Sequence, residues 1–135
     1  MADPASAILT LVLFCLQSCK SLHDVVSSFQ SNTRNVRELR EELEALNEVL
    51  GSLQQTVATT DVDFTGLELP LRRCGRACLE FRGVIDKSTE HSSGGRTSSR
   101  DWAKLKYMGD DVTGFKNVLA SYKSTIIVAL CDANL

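Results

Sequence analysis

The chain has 135 residues, of which 43% are apolar and 24% charged, with 15 Lys+Arg against 17 Asp+Glu and a formal net charge of −2. These figures fit one domain able to bury about two thirds of its unfolded surface, and they exclude a disordered chain, which would be poorer in apolar residues and less balanced in charge. The balance also speaks against a nucleic-acid binder, and two Pro and eight Gly are few for an all-β domain. Composition points to helices and assigns no activity.

The first helical pattern runs from about Asp3 to Phe29, with Pro4 at an early position where its missing N–H costs nothing. Its stripe is Ile8, Val12 or Leu11, Cys15, Cys19 or Leu16, Leu22, Val26 and Phe29, which leaves Leu9, Leu13 and Phe14 over on other faces. Within it Ala7 to Leu16 is nearly continuously apolar. No positive charge precedes this run, which argues against a signal peptide, and its length falls well short of the ~20 residues that span a bilayer. The expectation is a helix buried on several sides or held for insertion elsewhere.

The second pattern runs from about Arg34 to Ala58, with Val36, Leu39, Leu43, Leu46, Leu50, Leu53 and Val57 alternating spacings of three and four. That is a heptad seam of the kind that packs helices at shallow angles. Arg37/Glu41 and Arg40/Glu44 stand at i,i+4 on what reads as a solvated face. A polar connection, Thr59 to Thr65, leads to the third pattern, Gly66 to Lys87, with Leu67, Leu71, Cys74, Cys78, Phe81 and Ile85. Pro70 fits only in a first turn, so this helix is expected to start near Leu69.

Ser88 to Ser99 is rich in Ser and Gly and reads as a surface loop. The last pattern, Arg100 to Leu130, keeps the same rhythm through Leu105, Met108, Val112, Phe115, Leu119, Tyr122, Ile126 and Ala129, with Gly109 and Gly114 as weak points that allow a bend. Four seams joined by polar turns predict an all-α, up-down four-helix bundle with a long last helix, a single domain over residues 1–135. The expected core seams are Leu39, Leu43, Leu46 and Leu50, then Leu71 and Phe81, then Leu105, Phe115, Leu119, Tyr122 and Ile126. A coiled-coil dimer is the second architecture, disfavoured because the first helix is too apolar for a two-helix seam.

Chemistry is sparse. Cys15/Cys19 and Cys74/Cys78 each place two thiols one turn apart on one helix face, a spacing open to metal ligation or a strained bridge and equally to small apolar residues on a core stripe. No further ligand lies nearby in sequence except His23, and reduced cytosolic thiols fit better than a disulfide framework. The other histidine, His91, falls in the Ser/Gly loop, and Ser92 to Arg96 lacks the strand and the Gly-Lys ending of a phosphate loop. No catalytic set, cofactor site or metal site is expected, and no small-molecule substrate. Arg96, Arg100, Lys104 and Lys106 cluster beside Trp102 and Tyr107, either as a charged helix start or as a contact for an acidic partner or an anionic membrane.

The opening MADPASAILTLVLFCLQSCKSLHDVVSSFQ, with Lys20-Ser21-Leu22, is similar to the starts of fungal N-terminal domains that precede NACHT or NB-ARC modules in NLR-like proteins. The close, DWAKLKYMGDDVTGFKNVLASYKSTIIVALCDANL, with Tyr122-Lys123-Ser124-Thr125-Ile126-Ile127, resembles the same family, and VRELREELEALNEVLGSL and LRRCGRACLEFRGVI fit its middle helices. The resemblance implies an all-helical domain of the HeLo-like group. It further implies a non-catalytic signalling or effector domain at the front of a larger STAND receptor, cytoplasmic, with protein partners or self-association. Membrane-active relatives release an apolar first helix, for which Leu9, Leu13 and Phe14 are suited here. They commonly carry Gly in that helix, and residues 1–30 of this chain have none. That departure favours an interaction module; the alternatives are a membrane-targeting executor of programmed cell death that inserts its apolar first helix, recruited to the membrane on activation, and a simple homodimerisation module.

Overall fold

A computed structural model describes residues 4–28, 34–89 and 112–134. Among them are four α-helices and no strand: α1 (Pro4–Ser27), α2 (Arg34–Thr59), α3 (Glu68–Thr89) and α4 (Val112–Ala133), with a 3₁₀ turn at Thr65–Leu67 ahead of α3. The all-α bundle is thus as expected, and α1, α2 and α3 match the sequence pattern to within two residues at either end. The expected start of the last helix, Arg100 to Asp111, lies outside the described residues, as do Leu105, Met108 and Gly109. At its other end α4 runs three residues past Leu130, to Ala133.

Each helix forms for local reasons. Pro4 occupies the first position of α1. α2 is 26 residues of mostly strong helix formers without Pro, and its one Gly51 is interior. It closes with the Thr60 N–H and hydroxyl both donating to the Thr56 carbonyl. In the connection that follows, the Asp63 carboxylate accepts the Thr65 N–H at 2.9 Å, which starts the 3₁₀ turn. Pro70 then falls in the first turn of α3, where it removes no helical bond.

The helices alternate in direction, but chain neighbours are not all neighbours in space. α1 packs against both α2 and α3, α2 packs against α1 and α4, and α3 meets α4 more lightly. α2 and α3 therefore stand at opposite corners. Side-chain pairs show the directions: Cys15 and Cys19 meet Cys74 and Cys78 in the same order, so α1 and α3 run parallel. Lys116 and Lys123 meet Glu38 and Glu42 in the same order, so α2 and α4 do too.

One core runs through the bundle. All seven apolar residues of the α2 seam, from Val36 to Val57, are buried, and Leu71, Phe81, Phe115, Leu119 and Ile126 are fully covered. Tyr122 differs from its expected core place, being half-buried and packed against the edge of the core, where burial pushes its hydroxyl pKa up. Phe81 stacks on Phe115 with ring centroids 4.3 Å apart and planes 13° off parallel, which ties α3 to α4. Phe64, in the stretch read as a polar connection, is 6% exposed and with Leu67 closes the lower end of the bundle. Gly75 is buried under the ring of Phe14, and a Cβ at that position would overlap the ring. The close approach of α1 to α3 rests on that missing side chain.

Leu43→Ala is expected to cost about 2–5 kcal/mol, and Gly75→Ala about 1–3 kcal/mol by overpacking. Leu43→Asp, which strands a carboxylate in the seam, should abolish the cooperative thermal transition followed by circular dichroism. An unchanged melting curve for that variant contradicts the packing described.

Candidate interaction surfaces

Of the three residues left over on α1, the fold covers two. Leu9 is half-buried against the core and Phe14 lies on Gly75, whereas Leu13 remains 40% exposed. The segment Ala5–Ser27, at 23 residues, is long and apolar enough by length and composition to cross a membrane. This corrects the shorter measure taken from the ten-residue run. The core stripe Ile8 to Val26 adds its own hydropathy to the surplus, as the core helix of any bundle does.

α2 is less solvated than its charge pattern suggests. Arg37, Glu41 and Glu44 are exposed, but the i,i+4 pairs Arg37/Glu41 and Arg40/Glu44 are not the ion pairs formed; α4 covers the neighbouring flank of Glu38 and Glu42, and its lysines draw those carboxylates. Glu38 accepts from Lys116 Nζ at 2.6 Å and from Arg34 Nε at 2.7 Å, while Glu42 lies 2.8 Å from Lys123 Nζ. Glu42 Oε1 is buried and out of line for a hydrogen bond to that ammonium. On the other flank Glu44 pairs across to His23 of α1 at 3.0 Å. Lys116 and then Arg34, by their hydrogen bonds, hold the Glu38 carboxyl down at about 2 from an ordinary 4.5.

The four paired cysteines sit on core stripes, all with no exposure, while Cys131 is exposed and none is disulfide-bonded. Cys15 lies beside Cys74, and Cys78 lies beside both Cys74 and Cys19, while the Cys19 thiol donates to the Leu43 carbonyl of α2 at 3.4 Å. This thread ties α3, α1 and α2 together. Interaction with Cys74 and burial push the Cys15 thiol up, and interaction with Cys19 and Cys74 together with burial does the same for Cys78. Among the described residues no group of three or more His, Cys, Asp or Glu is placed to hold a metal ion.

Two exposed features stand out from the core. At the lower end a groove of about 470 Å³ lies between the α2–α3 connection and the last turns of α4, walled by Val62, Phe64, Val128 and Ala129 with Asp63 and Asp132 at its rim. Val62 and Val128 are 42% and 59% exposed. Hydrogen bonds from Thr65 hold Asp63 below the usual carboxylate range, so the rim carries charge. The second feature is the outer side of α3, where Leu69 and Leu79, 49% and 44% exposed, flank Arg72, Arg73 and Arg76. Neither was singled out from sequence. A signal for the α3 strip was present in the spacing 69, 72, 76, 79, which is one helix face. The groove had none, because it is made by a turn and a helix end far apart in the chain.

Arg96, Arg100, Lys104 and Lys106, with Trp102, Tyr107 and His91, lie outside the described residues. Leu13 is thus the one candidate contact residue that the described part of the molecule leaves largely open. A family model described as "Pigment biosynthesis cluster protein PigL N-terminal" matches residues 2–135. No curated protein and no solved structure matches the chain.

Glu38→Gln should lower the melting temperature at neutral pH. Because the folded carboxyl titrates far below its ordinary value, its stabilisation is full above about 4.5 and is lost as pH falls toward 2. Wild-type and variant melting temperatures should therefore converge over that window, and a gap that persists at its acid end contradicts the ion pairing. Native protein should react with a maleimide at Cys131 alone, and unfolded protein at all five cysteines. Rapid labelling of more than one thiol in the native state contradicts the buried thread.

Proposed function

Since the chain belongs to the PigL N-terminal family, whose model covers residues 2–135, we propose that it is a non-catalytic N-terminal interaction domain of a larger fungal NLR-like protein. The observation that carries this reading is the match of an N-terminal family over nearly the whole chain. It agrees with the likeness of the opening, MADPASAILTLVLFCLQ, and of the close to domains placed ahead of NACHT or NB-ARC modules. In this reading the domain works in the cytoplasm, where its buried thiols stay reduced, and takes no cofactor or substrate. It turns clustering by downstream modules into contact with protein partners through exposed faces of a rigid bundle.

A second reading, execution of cell death at a membrane, is favoured by one observation, the length and apolarity of Ala5–Ser27 with Leu13 already exposed. Insertion would first have to withdraw Ile8 to Val26 from the core, where α2 and α3 cover them. Vesicles of anionic lipid separate the two readings. Fused to an inducible oligomerisation module and expressed in a fungus, the chain should trigger a response that follows the inducer, while the purified clustered protein leaves vesicles intact. A response independent of clustering contradicts the interaction reading, and leakage that falls with salt and with Arg96, Arg100, Lys104 and Lys106 changed to Glu replaces it with the membrane one.

A further inference from the structure

The groove at the lower end and the strip on α3 are opposites in charge and alike in their apolar share. The groove offers branched aliphatic and aromatic walls under two carboxylates, Asp63 and Asp132. The strip offers two exposed leucines, Leu69 and Leu79, separated along the helix by about 15 Å, with three guanidinium groups between them. Of the acids beside it, Glu68 is held by Arg72 at 3.1 Å, and Glu80, four residues past Arg76 on the same helix face, has an interaction of its own. Arg73 and Arg76 are exposed, and the arginine ion pairs found among the described residues are those of Arg34, Arg72 and Arg82. The strip faces outward along α3 and the groove is walled by the α2–α3 connection and the end of α4, so within one copy the strip does not seat in the groove.

We propose that the α3 strip of one copy seats in the end groove of a second copy, a contact between identical chains made by two different surfaces. Leu69 or Leu79 fills the space beside Val128 and Phe64, and Arg73 and Arg76 face Asp63 and Asp132. A contact of this kind leaves one groove and one strip open on every pair, so it extends rather than closing as a symmetric dimer does. Opposite charges at the rim speed encounter and fix the register, and the apolar walls supply the burial. The proposal deepens the interaction reading above, and rests on it, by naming the partner as the chain itself.

The test is light scattering of the 135-residue chain over a concentration series at low salt. Wild-type mass should rise steadily with concentration and fall back at high salt. Arg73→Ala with Arg76→Ala, and separately Asp132→Lys, should each raise the concentration needed for association roughly tenfold or more. All three residues are exposed, so unchanged melting curves are expected and serve as the check on folding. An equimolar mixture of the two variants keeps one intact strip and one intact groove. It should give a species of twice the monomer mass and nothing larger. A wild-type chain that stays monomeric, variants that associate like wild type, or a mixture that stays monomeric each overturns the proposal. If the wild type is monomeric while induced clustering still triggers the cellular response, the self-contact falls and the interaction reading stands.

Discussion

The structure depends on how α1 is covered. A helix with apolar residues around most of its circumference cannot lie at the edge of a bundle with one neighbour; it needs cover on two sides. α2 supplies one side and α3 the other, and the second is possible because Gly75 leaves room for the Phe14 ring. Placing α3 beside α1 moves it away from α2, so the α2 flank is open for α4. From that follow the parallel pairing of α2 with α4, the lysines that draw Glu38 and Glu42 inward, and the Phe81–Phe115 stack that completes the ring. The thiol thread lies at the centre of the same arrangement. Four small, weakly polar side chains fill the narrow α1–α3 contact, and Cys19 satisfies its proton on the Leu43 carbonyl.

The same constraint decides what is left on the surface. With Leu9 and Phe14 packed down, Leu13 is the one large apolar side chain of α1 left exposed among the described residues, and the others lie at the α2–α3 connection, on α3 and on α4. These are places where the bundle has finished packing and where the charges are sorted by sign. Neither the thiols nor His23 with Glu44 forms a group set up for bond-making chemistry, whereas the sorted surfaces are suited to recognising a protein. A packed interior with faces sorted by charge is what the proposed interaction role requires.

Much of the fold was legible because burial on a helix repeats every three or four residues. Leu39, Leu43, Leu46 and Leu50 declare their face without any knowledge of what covers it. Periodicity does not say which helix covers it, so the order of packing and the pairing of Lys116 and Lys123 with α2 were not legible. Phe64 was missed because a lone aromatic among Thr, Asp and Val has no period to reveal it. Gly75 carries no signal of its own in the sequence, since its role comes from a ring on another helix. Surfaces assembled from distant segments, such as Val62 with Val128, are hidden from sequence for the same reason.

The central claim is that recognition by this domain runs through two unlike faces, the end groove and the α3 strip. The most direct measurement uses Cys131, the exposed thiol one residue before Asp132 at the groove, as the site for a nitroxide. Spin-labelled chain without isotope is mixed with unlabelled-thiol, ¹⁵N-enriched chain, and amide line broadening is read between copies. The account predicts broadening centred on Leu69 to Leu79 of α3 in the enriched copy. Broadening centred on the end of α4, as a symmetric contact would give, or none at concentrations where the chain associates, contradicts it.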